Sequence, residues 1–298
     1  MFRFIKSLFV KPKKRTNGVS VRDFYNESAE REFIRTTKSA AHMLEFQTTE
    51  YFYKKYLKKG MKILDAGGGP GRYTIDLAKQ GYHMTLLDIS DKELELAKRK
   101  IKQNRVGKFV DSVDLGSITE LPYKDNSFDM VLCVGGPLSH LRTESDRKKA
   151  IKELVRVAKP GAPIFISVMA RPSVLNLSVK DFKKYIKTYG FKKEKEFWTE
   201  MDILTNQGDD NWFCGCSYAH FYWPSELKDL VLKTVKNAKV LHQVALEWPN
   251  QNLHDEFNEI AKNKRHYKEW LNLHFAVCEH PDMLSLSAHI MIVIQKTK

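Results

Sequence analysis

From residue 61 onward, compact apolar runs alternate with stretches whose apolar positions are spaced for a helix. Met61–Ala66, Tyr82–Asp88, Val110–Leu115, Phe128–Val134 and Pro163–Met169 have the length and apolar density of buried strands. Arg72–Gln80, after the first of them, reads as a helix. Ser90 caps another through "DKELELAKRKIKQ", where Leu94, Leu96, Ala97 and Ile101 supply the apolar stripe. "ESDRKKAIKELVRVA" predicts a third, stopped by the "KPG" of Lys159–Gly161. Strands alternating with crossover helices predict an α/β, Rossmann-like parallel sheet with helices on both faces.

The flanks have a different pattern. Val21 to Lys59 holds no proline, reads as helical and ends at Gly60, a good stop residue. Its many aromatics pack these helices on the rest of the chain, and Tyr25 is a candidate to close over a ligand. Between the fifth strand and the helix opening at "WPSEL", Trp223 to Leu227, lies an insertion of about fifty residues, far beyond the usual 2 to 6. Ala238–Trp248 returns to the sheet, "PNQNLHDEFNEIAKNKRHYKEWLNLHFA" is a helical insertion, and "LSLSAHIMIVIQK" makes the last strand. The expected organisation is a basic arm over 1–20, helices capping the site over 21–60, and a cofactor-binding core over 61–170. An insertion or lid over 171–224 comes next, and 225–298 completes the sheet with a helical insertion at about 249–276.

Composition sets limits on the class of protein. The 298 residues, 42% hydrophobic and 29% charged, are those of a folded globular chain, and no apolar run approaches the roughly 20 residues of a membrane span. Four scattered cysteines, Cys133, Cys214, Cys216 and Cys278, do not make a disulfide framework, so a reducing cytoplasm is the expected compartment. The net charge of +14 raises the question of an anionic partner. Its lysines are dispersed, without the arginine–aromatic cluster that stacks and clamps nucleic acid, and they read as a solvated surface. Residues 1–15, "MFRFIKSLFVKPKKR", carry six basic residues and no acidic one. If helical, Phe2, Ile5 and Phe9 share a face, which suits weak peripheral contact with a membrane, although a mobile basic arm is the simpler expectation. The arm lacks the apolar length and cleavage site of a secretory signal.

The candidate chemistry begins at "ILDAGGGPGRYT", Ile63 to Thr74, with the spacing Asp65-x-Gly67-x-Gly69-x-Gly71 ahead of a helix. Glycines there let the backbone turn sharply and approach a ligand closely. Many dinucleotide enzymes have a similar loop. Asp65 discriminates, because a carboxylate at the loop repels a pyrophosphate and attracts an ammonium or sulfonium group. Asp88 ends the second strand 23 residues later, close to the roughly 20-residue offset at which an acidic residue accepts ribose hydroxyls.

These residues resemble the class I S-adenosylmethionine-dependent methyltransferases. The resemblance runs through "MKILDAGGGPGRYTIDLAKQGYHMTLLDIS", "GSITELPYKDNSFDMVLCVGGPLSHL" and "ELVRVAKPGAPIFIS", covering roughly Gly60 to Met169. It implies a seven-stranded, mostly parallel sheet with an antiparallel last strand, and S-adenosyl-L-methionine as methyl donor with S-adenosyl-L-homocysteine as product. It further implies that Asp65, Gly67 and Gly69 surround the methionine part, that Asp88 holds the ribose hydroxyls, and that Ile89 packs on the adenine. Ser117 stands where many relatives carry an aspartate for the adenine amino group, with Ile118 offering its N–H and an apolar flank. Val134, ending the fourth strand, lies where relatives touch cofactor and acceptor. The core is similar to the quinone-biosynthesis-like branch, although its "GGGPG" departs from the form usual in the menaquinone enzymes.

For the acceptor side, "CVGGPLSHL" offers Ser139 as a contact and His140 as a base for a hydroxyl, thiol or amine, with a satisfied structural histidine as the alternative. Tyr218, His220 and Tyr222 alternate in "DDNWFCGCSYAHFYW", so on a strand they would share a face and rim the acceptor pocket, His220 being the second candidate base. Cys214-x-Cys216 with His220 is weak evidence for zinc, and no metal is expected. An Asn/Asp-Pro-Pro-aromatic clamp for nucleobase amino groups is absent. The expected function is in-line methyl transfer to a small-molecule acceptor in a closed pocket. An RNA or protein acceptor, supported by the +14 charge, and a non-catalytic cofactor-binding protein are the alternatives, and the sequence does not specify an oligomeric state.

Overall fold

A computed structural model of the protein describes residues 20–35, 38–173, 182, 187, 194–210, 218–247 and 253–298. Residues 1–19 of the basic arm and the Cys214-x-Cys216 pair lie outside the described residues.

The first five strands are β1 (Lys62–Ala66), β2 (His83–Asp88), β3 (Val110–Leu115), β4 (Met130–Cys133) and β5 (Pro163–Met169). With β8 (Ala238–Ala245) and β9 (His289–Lys296) they form one seven-stranded sheet in the order β3-β2-β1-β4-β5-β9-β8. The pairs among β1 to β5 are parallel, and β9 runs antiparallel to β5 and β8. All four residues of β4 are buried, as expected for parallel strands covered on both faces. Strand order reverses between β1 and β4, which opens a crevice at their carboxyl ends.

Side chains alternate between two core layers. Leu64, Ala66, Val131, Cys133, Ile164 and Ile166 face the layer of α5 (Glu144–Val157) and α7 (Pro224–Thr234). Ile63, Leu132, Phe165 and Val293 face that of α3 (Arg72–Lys79), where Tyr73, Ile75 and Leu77 are buried. Asp65 has the parity of Ile63, so its carboxylate points toward α3. Helix α4 (Asp91–Gln103) starts at Ser90, whose hydroxyl accepts from the Glu93 N–H at 3.1 Å.

The helical stretch expected from Val21 to Lys59 is two helices, α1 (Val21–Arg35) and α2 (Ala40–Tyr53), with Ser39 fully extended before the second. Ser39 and neighbouring polar residues carry no periodic signal, so propensity alone ran the two together. Helix α1 lies on α4 through the Arg22–Asp91 and Arg99–Glu30 ion pairs and through Asn26, whose amide donates to Asp91 and whose carbonyl accepts from Ser90. In α2, Ala41 and Leu44 pack with Phe257 of α8 (His254–Ala261), while Tyr51 stacks at 4.1 Å on Phe275 of α9 (Lys264–Val277). The short α10 (Pro281–Leu284) precedes β9.

The insertion after β5 contains α6 (Glu194–Gln207) and a minimal antiparallel pair, β6 (Asp209–Asp210) and β7 (Ala219–His220). The strand expected through Tyr218–Tyr222 is thus only two residues long. Tyr222 leaves it to bridge Ala170 at the end of β5, its N–H donating to the Met169 carbonyl at 2.9 Å.

Candidate functional site

The crevice at the switch point holds a cavity of about 1090 Å³, its open mouth included. Tyr25, Gly67, Gly69, Asp88, Ile89, Ser117, Ile118, Val134 and His140 all line it, so residues from α1, four strand ends and the turn after β4 meet at one place.

The floor is the loop after β1. Gly67, Gly69 and Gly71 have φ of 76°, 53° and 81°, in the left-handed region. A Cβ on Gly67 would stand 2.6 Å from Pro137 Cγ, and one on Gly68 2.4 Å from Asp65 Cγ. Only a bare backbone fits between the strand and the cavity. Asp65 lies fully buried beneath this backbone rather than on the cavity wall. Its Oδ2 accepts from Thr74 N–H at 3.2 Å and Thr74 Oγ1 at 2.7 Å. Gly71, at the N-cap of α3, has no side chain to cap with, so a carboxylate from β1 takes that place at the positive end of the helix. Asp65 Oδ1 is buried without a hydrogen-bond partner. Burial pushes its pKa up to about 6, against the pull of the Thr74 hydrogen bonds and with a smaller push from Asp88.

Asp88 closes β2 with Oδ2 accepting from Gly69 N–H and Oδ1 from Ser90 N–H, each at 2.8 Å. Burial raises its pKa, and those N–H groups partly offset the shift. Ile89 beside it is 40% exposed, its surface on the cavity, opposite a mostly buried Ile118. Ser117 Oγ is engaged with Thr119, accepting from its N–H at 3.2 Å. Asp114, the nearest carboxylate along β3, accepts from Ser112 Oγ and Tyr123 Oη and is outside the lining.

Across the cavity, Gly135 and Gly136 take φ of 86° and 93° and swing the chain after β4 into a single 3₁₀ turn, Pro137–His140. His140 Nδ1 lies 3.0 Å from the Tyr218 carbonyl, which can only accept, so Nδ1 carries the proton. Nε2 is then a lone pair and accepts from Tyr25 Oη at 2.7 Å. Burial lowers the His140 pKa, with the Tyr218 bond and Glu32 opposing and His289 reinforcing the shift. The imidazole is neutral at pH 7 with its basic nitrogen on the cavity.

A crystal structure of a SAM-dependent methyltransferase from Methanosarcina mazei superposes with a TM-score of 0.55 at 19% identity, covering 82% of this chain and 96% of that one. The [4+2]-cyclase SpnF does so with a TM-score of 0.54 at 17% identity, covering 85% and 81%. At such identity these show the fold. A family model of a methyltransferase domain matches residues 63–161. Norajmaline N-methyltransferase of Rauvolfia serpentina is 34% identical over 170 residues, 55% of this chain and 56% of that protein. This chain spans about half the length of the first curated relatives it matches. Demethylmenaquinone methyltransferase of Staphylococcus aureus is 32% identical over 184 residues, 57% of this chain and 73% of that protein.

This chain belongs to the class I S-adenosylmethionine-dependent methyltransferases. The cavity fits the cofactor of that family on its own features. The glycine cradle that any Cβ would fill, the buried Asp65 oxygen without a partner, and a carboxylate at the end of β2 are matched to a cationic nucleoside rather than a pyrophosphate.

The other acceptor-side candidates of this methyltransferase lie outside that cavity lining. Ser139 is fully buried and its Oγ accepts from the Met169 N–H at 3.1 Å, pinning the turn to β5. Tyr222 is fully buried. Tyr218 donates its hydroxyl to Asp209 Oδ1 at 2.7 Å and reaches the site only through its carbonyl. His220 is 4% exposed, with Nδ1 on Asp209 Oδ1 at 2.7 Å and Nε2 on Glu226 Oε1 at 2.6 Å. The alternation that suggested a shared rim needs a longer strand than the two residues of β7, and the three side chains go instead to Arg142 and Asp209, to Asp209 and Glu226, and to the core beside the sheet.

The lining also includes Glu32, Arg72, Glu93 and Leu141, which motif reading passed over. Glu93 carried one usable signal, since Ser90-x-x-Glu93 has the spacing of a capping box. Here Ser90 N–H is taken by Asp88, and the Glu93 carboxylate sits under Gly69, where a Cβ would come within 2.8 Å of Oε2. Elsewhere Glu45, Glu247 and His289 bring their ligand atoms within 4.8 Å of one another, with His289 Nδ1 hydrogen-bonded to Glu247. Among the described residues no helix is long and apolar enough to cross a membrane.

Proposed function

We propose that this protein transfers a methyl group from S-adenosyl-L-methionine to a small-molecule acceptor, with His140 accepting the proton that the acceptor loses. When bound, S-adenosyl-L-methionine supplies an electrophilic methyl that an acceptor heteroatom takes in line, leaving S-adenosyl-L-homocysteine. Gly67 and Gly69 would give that ligand backbone access, Asp88 would accept from ribose hydroxyls, and Ile89, Ser117, Ile118 and Val134, all on the same lining, would supply the purine and methyl-donor walls.

The observation that carries the reading is the state of His140. A buried imidazole held as the Nδ1–H tautomer presents a lone pair, not a proton, to the cavity. Tyr25 Oη occupies that lone pair, so an acceptor reaches Nε2 either by displacing the phenol or by passing its proton through it. Helix α1, through Tyr25 and Glu32, and the 3₁₀ turn, through Pro137 and His140, wall the cavity on either side of the glycine loop. The names of the relatives, an alkaloid-type N-methyltransferase and a demethylmenaquinone methyltransferase, support a small acceptor.

The test is incubation with methyl-labelled S-adenosyl-L-methionine and a fractionated cell extract. Label in the small-molecule fraction is expected. Label confined to RNA or protein refutes the acceptor class, and binding with no transfer to any fraction refutes catalysis.

A further inference from the structure

His220 is buried, chemically capable and away from the cavity, which leaves its role to be explained. Both ring nitrogens meet carboxylates, Nδ1 with Asp209 at 2.7 Å and Nε2 with Glu226 at 2.6 Å. Burial pushes both carboxyls up, yet the hydrogen bonds each accepts, from His220 and Tyr218 at Asp209 and from His220 and Trp223 N–H at Glu226, together with the nearby Arg147 and Arg171, hold both below their ordinary range. His220 thus bridges the two carboxylates, one at each ring nitrogen.

The bridge ties down one short segment. Asp209 Oδ1 also accepts from Tyr218 Oη at 2.7 Å, and Arg147 donates to that hydroxyl at 3.5 Å and to the Leu141 carbonyl at 2.9 Å. Glu226 Oε2 accepts from Arg171 Nη2 at 2.8 Å and Trp223 N–H at 3.2 Å, while Arg171 Nε donates to the Phe221 carbonyl at 3.1 Å. Residues 218 to 223 are therefore fixed at both ends to the insertion and to α7. Within that segment, Tyr218 presents the carbonyl that receives His140 Nδ1–H.

We propose that His220 is a positioning residue: its bridge between Asp209 and Glu226 holds the Tyr218 carbonyl against His140 Nδ1 and so keeps the His140 lone pair at Nε2, facing the cavity. Without the bridge the carbonyl drifts and the neutral ring is free to place its proton on either nitrogen. A ring with Nε2–H presents a donor to the acceptor and cannot take its proton. The inference rests on His140 being the base, but its primary readout does not.

The experiment is nitrogen-15 NMR of histidine-labelled full-length protein, with His140 assigned by His140→Gln. Wild type is expected to show His140 as the Nδ1–H tautomer near pH 7. His220→Ala and the milder His220→Gln are expected to shift it toward Nε2–H or a mixture, and to lower kcat roughly tenfold or more while S-adenosyl-L-homocysteine affinity stays within about twofold. Thermal melts run alongside identify which variant remains folded. A folded variant in which His140 keeps the Nδ1–H tautomer overturns the proposal. Unfolding of both variants also overturns it, because the bridge would then hold the whole chain rather than one ring. A shifted tautomer with unchanged turnover leaves the positioning intact and removes His140 as the base.

Discussion

Replacing Asp65 by asparagine separates two jobs that one carboxylate performs. The wild-type group has a pKa of about 6 because it is fully buried, about two units above an ordinary aspartate. An acid with a raised folded-state pKa costs stability when ionised. The folded state is favoured below the unfolded value near 4, and that advantage is lost as pH rises through about 6, a cost of about 3 kcal/mol at neutral pH. Asparagine removes this cost and keeps an oxygen for Thr74, but it puts an amide NH₂ where Oδ1 has no partner, a penalty of about 1 to 3 kcal/mol. The two effects nearly cancel, so denaturant unfolding at pH 7 should give stabilities within about 2 kcal/mol of each other. Ligand binding should respond differently. If the cationic cofactor needs the ionised form, protonating a group of pKa about 6 weakens binding about tenfold between pH 7 and 5. Calorimetry with S-adenosyl-L-methionine across that range should show the loss in wild type and a flatter, weaker profile in Asp65→Asn. Identical slopes in the two proteins would refute the reasoning and assign the titration to Asp88, whose pKa burial also raises.

Asp88→Ala should abolish cofactor binding by calorimetry, and unchanged affinity would remove the ribose assignment. Gly68→Ala should unfold or empty the site, because its Cβ would lie 2.4 Å from Asp65 Cγ and 2.5 Å from Leu86 Cδ1, whereas Gly69→Ala meets the far end of Glu93 and adds a left-handed backbone strain of about 1 to 2 kcal/mol, so it should fold and lose about tenfold or more in affinity. Circular dichroism and titration distinguish them, and equal damage would show that Glu93 cannot move. Tyr25→Phe removes the donor on His140 Nε2 and separates the two routes to it: kcat should fall about tenfold or more if the phenol relays the proton and hold or rise if the acceptor displaces it, with cofactor affinity preserved in both. Since burial lowers the His140 pKa, kcat/KM should rise with pH and reach its plateau before an ordinary histidine would; a profile rising only through higher pH would point to another base.

Much of the core was legible because it is written in local patterns. β3 and β5 have the bounds that their apolar runs predict, and Ser90 caps α4 as its position suggests. The cofactor half of the cavity was also legible, since its residues sit at strand ends and in turns of a few residues. The shared face of Tyr218, His220 and Tyr222 was not legible, because β7 holds only Ala219 and His220 and Tyr222 leaves it for the end of β5, so alternation does not set the three side chains.

The sequence by itself determined the alternating sheet, the glycine loop and a carboxylate at the end of β2, because periods of 2 and 3.6 and a contiguous motif act over a few residues. Tertiary structure alone decided what the polar side chains do. Asp65 faces ligand chemistry in the sequence but caps α3, since strand parity turns it to the face that helix covers. His140 accepts from Tyr25, 115 positions earlier, and donates to the carbonyl of Tyr218, 78 positions later, and His220 bridges carboxylates drawn from a strand and a helix. Such pairings are set when burial forces each polar atom to find whatever partner packing brings near, and no local pattern in the chain records that choice.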